Sequence, residues 1–356
     1  MAFIRSSHAG QHSVRMKLSI DTCCTHRINR CAFEYAVRMK RFLLTNFTAV
    51  LVIISSGSAA FAETTDSTTP VKVFILAGQS NMEGQGVVEM DHPKYYNDGK
   101  GNLVWSMKHS KSAAMMKHLK DDKGKWVVRD DVRISFKDKR EVRTGRLTIG
   151  FTGYGGSTHI GPELQFGNVV GDHIDEEVLL IKTAWGGKSL CRDFRPPASG
   201  GSVGPYYKQM IDEVRAALKA LGKRRYTIAG FVWFQGWNDM FDKNGLAEYE
   251  QNLINLAADL RREFRSPNLP FVIGELGNGG SKAGKNMLAI RAAQKSAGST
   301  IRNGLFVSTT AFARPKELSP NTGHGHHWFG NAESYFLVGD ALGKGMVQLL
   351  ARETQR

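Results

Sequence analysis

The 356-residue chain reads as an α/β protein, a three-layer α/β/α sandwich around a central parallel sheet. Two observations predict this. Short, nearly continuous apolar runs recur along the chain, as in strands buried on both faces of a parallel sheet. Stretches of amphipathic, helical period alternate with them, which is the pattern of successive βαβ units.

The strand runs are, in order, Val71–Ala77 (VKVFILA), Val178–Ile181 (VLLI), Ile228–Phe234 (IAGFVWF), Pro270–Ile273 (PFVI) and Leu305–Ser308 (LFVS). The helical stretches are Tyr206–Leu221 with a stop at Gly222, Ala247–Phe264, the shorter Met287–Ala297, and residues 331–352. No internal repeat and no linker marks a second domain, so 71–352 is expected to be one domain. The segment from about Lys94 to Gly156 is rich in Lys, Asp and Gly with weak strand signals. It reads as an insertion near the site.

Residues 39–62 combine Met39-Lys40-Arg41, an apolar stretch from Phe42 to Ile54, and Ala60-Phe61-Ala62. Those are the basic, apolar and cleavage regions of a secretory signal peptide. The apolar run is too short and interrupted to span a bilayer, so no stable membrane insertion is expected after cleavage, an uncleaved anchor being the competing reading. Residues 1–38 show no apolar periodicity and read as a non-native upstream extension or a disordered one, with translation starting at Met39 or Met16. Residues 63–70 are a polar leader. The mature protein is expected to be secreted or periplasmic.

Of four cysteines only Cys191 lies beyond Ala62. An internal disulfide and a cysteine-based zinc site are therefore not expected. The remaining stretch of about 290 residues is long enough to bury a sizeable core without such staples. The net charge is +15, of which residues 1–62 carry +6. The rest is spread over many loops with no Lys/Arg run interleaved with aromatics, so nucleic acid is not an expected partner.

The first strand run ends Gly78-Gln79-Ser80-Asn81-Met82-Glu83-Gly84. Ligands of open parallel sheets bind beyond the carboxyl ends of the strands, which places Ser80 where chemistry usually occurs. A helix starting just after it would offer N–H groups to a negatively charged substrate oxygen, although a serine there can simply cap the helix. Asn238 follows the run ending Phe234-Gln235-Gly236-Trp237 and can aim an amide donor at the same edge. Thr183-Ala-Trp-Gly-Gly-Lys-Ser189 brings consecutive glycines to a third strand end, where backbone N–H groups can approach a ligand closely. Each is also compatible with an ordinary tight turn. Gly323-His-Gly-His-His-Trp-Phe-Gly330 supplies histidines that can act as general base to a serine hydroxyl, or as metal ligands. Crowding of three histidines into four residues, with no carboxylate at ligand spacing, argues against the metal.

Together these segments resemble the SGNH-hydrolase superfamily, and within it the sialate O-acetylesterase-like group, carbohydrate esterase family 6. The resemblance rests on Gly78-Gln-Ser-Asn-Met-x-Gly84, Ala184-x-Gly-Gly-x-Ser189 and Gly236-x-Asn-Asp239, with Gly161-Pro-Glu-Leu164 and Arg291-Ala-Ala-Gln294 in the same order, and spans about residues 71–347. It implies a flavodoxin-like SGNH hydrolase fold and an esterase that removes acetyl or related acyl groups from carbohydrates without metal or organic cofactor. Carried over by position, Ser80 is the nucleophile and an oxyanion donor. Gly186, Gly187 and Asn238 are the further donors, and His327, or its neighbour His326, is the base. Gln79, Gln235 and Trp237 are the candidate substrate contacts. Trp185, Trp237 and Trp328 suit either stacking on sugar rings or core packing.

Two positions depart from the family pattern. Trp237 stands where the family often has Glu, and His324 stands three residues before His327, where the superfamily usually has Asp. A Ser-His dyad, an acid from elsewhere, or a backbone carbonyl orienting the ring are the alternatives. A non-catalytic carbohydrate-binding protein on the same scaffold is the other functional reading.

Overall fold

The computed structural model of the protein describes residues 69–354. The expected signal peptide at 39–62, the expected extension at 1–38 and residues 63–68 of the expected polar leader lie outside them. The strands are β1 (Val71–Gly78), β2 (Gly86–Val87), β3 (Val132–Lys137), β4 (Val142–Arg146), β5 (His159–Ile160), β6 (Val178–Ala184), β7 (Tyr226–Phe234), β8 (Phe271–Gly274) and β9 (Gly304–Val307). The helices are α1 (Ser80–Glu83), α2 (Pro93–Tyr96), α3 (Leu103–His109), α4 (Glu163–Gly171), α5 (Pro205–Lys219), α6 (Lys243–Glu263), α7 (Lys285–Thr300) and α8 (Ala332–Thr354).

Seven strands form the central sheet in the order β4-β3-β6-β1-β7-β8-β9. All neighbours run parallel except β4, which pairs antiparallel with β3 at the edge. The apolar runs are buried as their composition requires. Val71, Val73, Ile75 and Ala77 of β1 face one layer, packed with α5, α6 and α7, while Phe74 and Leu76 face the other, against α4 and α8. Each fully buried Val, Ile or Phe contributes about 1.5–3 kcal/mol relative to exposure. The three layers follow from that two-sided burial.

The segment 94–156 differs from its sequence reading. Its β3–β4 hairpin extends the main sheet, with β3 pairing against β6. Burial along β3 alternates, with Arg133 and Lys137 exposed. A half-wet strand of mixed polarity, next to the sheet edge, carries no apolar run, hence its weak signal. Helix α4 was not foreshadowed either. Its sequence ELQFGNVVG holds two glycines, which lower helix propensity, and it is held by packing on α8.

The register decides where chemistry can occur. Gly78 at the end of β1 lies opposite Ala184 of β6 on one side and Phe234 of β7 on the other. The three loops that follow these residues therefore leave the sheet at one edge.

Candidate active site

Ser80 opens α1 directly beyond β1, and its side chain caps nothing; the N-cap residue is Gln79. The capping alternative therefore falls. Ser80 is 7 % exposed. Among the described residues the N–H groups of Ser80 and Gly187 make no hydrogen bond. The Gly186 N–H, in contrast, donates to Glu83 Oε2 at 3.1 Å.

Gln79 fixes the third loop. Its Oε1 accepts the N–H groups of Gly236 (3.1 Å) and Trp237 (2.9 Å), and only an oxygen can accept both. The amide nitrogen must then face Asn238, and it donates to Asn238 Oδ1 at 3.0 Å. Asn238 is thereby turned so that Nδ2, a donor, is its other end. Gln235 is committed likewise, donating to Lys188 O and Asp239 Oδ2 and accepting from the Tyr249 hydroxyl. Asp239 accepts from the N–H groups of Leu190 and Cys191 (both 2.9 Å), which ties the β6 and β7 loops together. Burial raises its carboxyl above the usual carboxylate range. Trp237 is half-buried with its ring 5.8 Å from that of His326, whereas Trp185 and Trp328 are buried in the core.

The histidines lie on a 3-10 turn over Gly325–Gly330 in which Trp328 (φ 52°) and Phe329 (φ 55°) adopt the left-handed region. Two bulky residues in that region are strained, and surrounding structure must hold them there. It does so through the main chain. Asn81 Nδ2 donates to His326 O at 3.0 Å and Asn278 Nδ2 to the same oxygen at 3.1 Å. The Tyr335 hydroxyl lies 2.7 Å from Asn81 Oδ1 and 3.2 Å from His327 O. Among the described residues no hydrogen bond reaches a ring nitrogen of His324, His326 or His327, and no group of three His, Cys, Asp or Glu is arranged to hold a metal ion. The His326 and His327 rings are 4.0 Å apart. Burial, then the neighbouring His326 and His324, pushes His327 down to about 4, and burial lowers His326 as well.

The remaining motif residues support these turns. Arg291 is buried and donates to Leu276 O (2.7 Å), Gly280 O and Asn278 O, while Gln294 bridges Gln235 O and the Leu276 N–H. Those bonds shape the loop that presents Asn278 to His326. Glu163 accepts from Gly161 N–H and from Lys182 Nζ (2.8 Å). Lys182, wholly buried on β6, also donates to the carbonyls of Glu83 (2.8 Å) and Phe151 (2.6 Å). Burial lowers the ammonium below the ordinary lysine value, opposed by Glu163. Asn278 and Lys182 escape a reading of the sequence because neither shows periodicity or motif spacing of its own, and Asn81, inside the Ser80 block, and Tyr335, inside the last helical stretch, carry no sign of their partners.

A family model described as carbohydrate esterase, sialic acid-specific acetylesterase matches residues 70–348. The chain belongs to this carbohydrate esterase family. It is accordingly a carboxylic-ester hydrolase. A probable carbohydrate esterase of Arabidopsis thaliana is 24 % identical over 223 residues, 59 % of this chain and 71 % of that one. The solved structure of an Arabidopsis thaliana protein superposes with a TM-score of 0.53 at 20 % identity, covering 79 % of this chain and 99 % of the other, and shows the shared fold. A carbohydrate acetylesterase of Xanthomonas citri aligns with a TM-score of 0.46 at 16 % identity, over 77 % of this chain and 56 % of its own. Among the described residues no helix of this carbohydrate esterase is long and apolar enough to cross a membrane.

Proposed function

We propose that the chain is a secreted esterase that removes O-acetyl groups from carbohydrates through a Ser-His centre, residues 71–352 forming its one catalytic domain. Ser80 Oγ attacks the acetyl carbonyl while His327 takes its proton, His326 being the alternative base. The oxyanion is held by the Ser80 N–H, the Gly187 N–H and Asn238 Nδ2. Collapse of the tetrahedral intermediate expels the sugar hydroxyl, which recovers the proton from the imidazolium. Water activated by the same histidine then releases acetate from the acetyl-serine. The observation that carries this reading is the Gln79 amide, beside Ser80, which accepts from Gly236 and Trp237 and donates to Asn238 Oδ1, leaving Nδ2 as the end of Asn238 that Gln79 does not take. Among the described residues no hydrogen bond reaches either ring while both main-chain carbonyls are tethered, which supports a histidine held through its backbone. Trp237, half-buried beside His326, is the aromatic surface placed for a sugar ring.

The test is hydrolysis of p-nitrophenyl acetate by the wild type beside Ser80→Ala, with an expected loss of at least about 10³-fold. Equal rates in the two proteins would remove the nucleophile. Product analysis over a panel of acetylated glycans identifies the sugar, and N-terminal sequencing of exported protein should begin after Ala62.

A further inference from the structure

We propose that Glu83 is a positioning residue for this hydrolysis, its carboxylate fixing the Gly186–Gly187 turn at the separation from Ser80 that the oxyanion requires. The inference rests on the Ser-His reading above.

Glu83 closes the single turn of helix that Ser80 opens. Its Oε2 accepts the Gly186 N–H, so that donor is taken and the turn presents the Gly187 N–H instead. A Cβ placed on Gly186 would lie 3.3 Å from Glu83 Oε2 and 3.6 Å from Ser80 Cβ. The turn is thus bonded to the carboxylate and lies close beside the nucleophile. On the opposite side the insertion packs against the same carboxylate. A Cβ on Gly153 would fall 2.1 Å from Glu83 Oε1. The main chain is pinned too, because the Glu83 carbonyl and the Phe151 carbonyl accept from one ammonium, Lys182 Nζ. Glu83 is therefore a strut between α1, the glycine turn and the insertion.

Gly187 needs such a strut. It has φ +74°, and nothing lies within 4 Å of where its Cβ would be, so no packing supports the turn on that side. The other ties of this turn lie at its ends, at Trp185 and at Lys188. An oxyanion donor displaced by about 1 Å can lower the rate by 10²-fold, so a bond at the middle of the turn has catalytic leverage.

The strut acts through reach, not charge, and this separates two conservative variants. Glu83→Gln keeps a carbonyl oxygen at the same distance, able to accept from Gly186. Glu83→Asp keeps the charge but is one methylene short. On p-nitrophenyl acetate, Gln is expected to retain kcat within about threefold, while Asp and Ala lose about 10- to 100-fold with KM little changed. Gly153→Ala, which displaces the carboxylate from behind, should lower kcat about tenfold. It should add nothing in a Glu83→Ala background, since both changes break one interaction.

Asp performing as well as Gln, Ala within twofold of wild type, or additive losses in the double variant would each overturn the proposal. Should Glu83→Ala not fold, the ranking of Gln and Asp decides. A wild type inactive towards every ester sinks the Ser-His reading and this inference together. An active wild type with a dead Ser80→Ala and four unaltered Glu83 and Gly153 variants sinks this inference alone.

Discussion

The turn that carries Ser80 and the turn that carries His327 meet at one sheet edge but are held by different means. Helix α1 grows straight out of β1, the central strand, and its neighbours are fixed by buried groups: Gln79 at 2 % exposure, and the Lys182–Glu163 pair at 0 % and 1 %. The histidine turn follows no strand directly, and it has two strained residues and rings that form no hydrogen bonds among the described residues. It is hung on carbonyls by Asn81, Asn278 and Tyr335. A nucleophile must be aimed within tenths of an ångström, and a rigid frame serves that. A base that accepts and returns a proton can tolerate a softer mount, provided its main chain stays in place.

If the two arms differ this way, breaking them should have different consequences. The largest effect is expected on the Ser80 side. Lys182→Met leaves the Glu163 carboxylate buried without its partner and should destabilise the fold by about 3–5 kcal/mol in urea unfolding. A loss under about 1 kcal/mol would mean that the ion pair is not the frame. Next comes Asn278→Ala, which removes one of two donors to His326 O while leaving the sheet intact. It should lower kcat about three- to tenfold, in line with a single net hydrogen bond, and change the melting temperature by only a few degrees. A collapse in stability would show that the histidine turn is as integral as α1.

The smallest effect concerns protons. His327 must be neutral to act as base, and its value of about 4 predicts kcat/KM nearly flat from pH 7 to 5, falling with a midpoint near 4. A midpoint near the ordinary 6.5 would break the burial argument. The linkage sign follows. His327 and the buried His159, also pushed down to about 4, bind fewer protons in the folded than in the unfolded chain between about pH 4 and 6.5. Their contribution to stability is full above 6.5 and is lost as the pH falls towards 4. Melting curves at pH 7 and 5.5 should show the decline before most carboxylates titrate.

Much of this was legible in the sequence. The five apolar runs became strands within two or three residues of their expected limits, because a strand buried on both faces writes its burial directly into composition. Helices α5 to α8 followed from their periodicity. The edge hairpin β3–β4 did not, since half its residues face water. The departure at His324 was equally visible, and among the described residues no hydrogen bond or ion pair joins a carboxylate to the rings.

By itself the sequence determined which residue types follow three of the strands, a serine, a glycine pair and an asparagine, and that a histidine-rich turn precedes the last helix. Tertiary structure alone decided their partners. Gly186 and Gly187 are indistinguishable as letters, yet Glu83 takes one N–H and leaves the other. Nothing in the letters tells that the Gln79 amide bonds Gly236, Trp237 and Asn238. Hydrogen bonds between loops separated by more than a hundred residues depend on strand register, and a single sequence carries composition and spacing but no register.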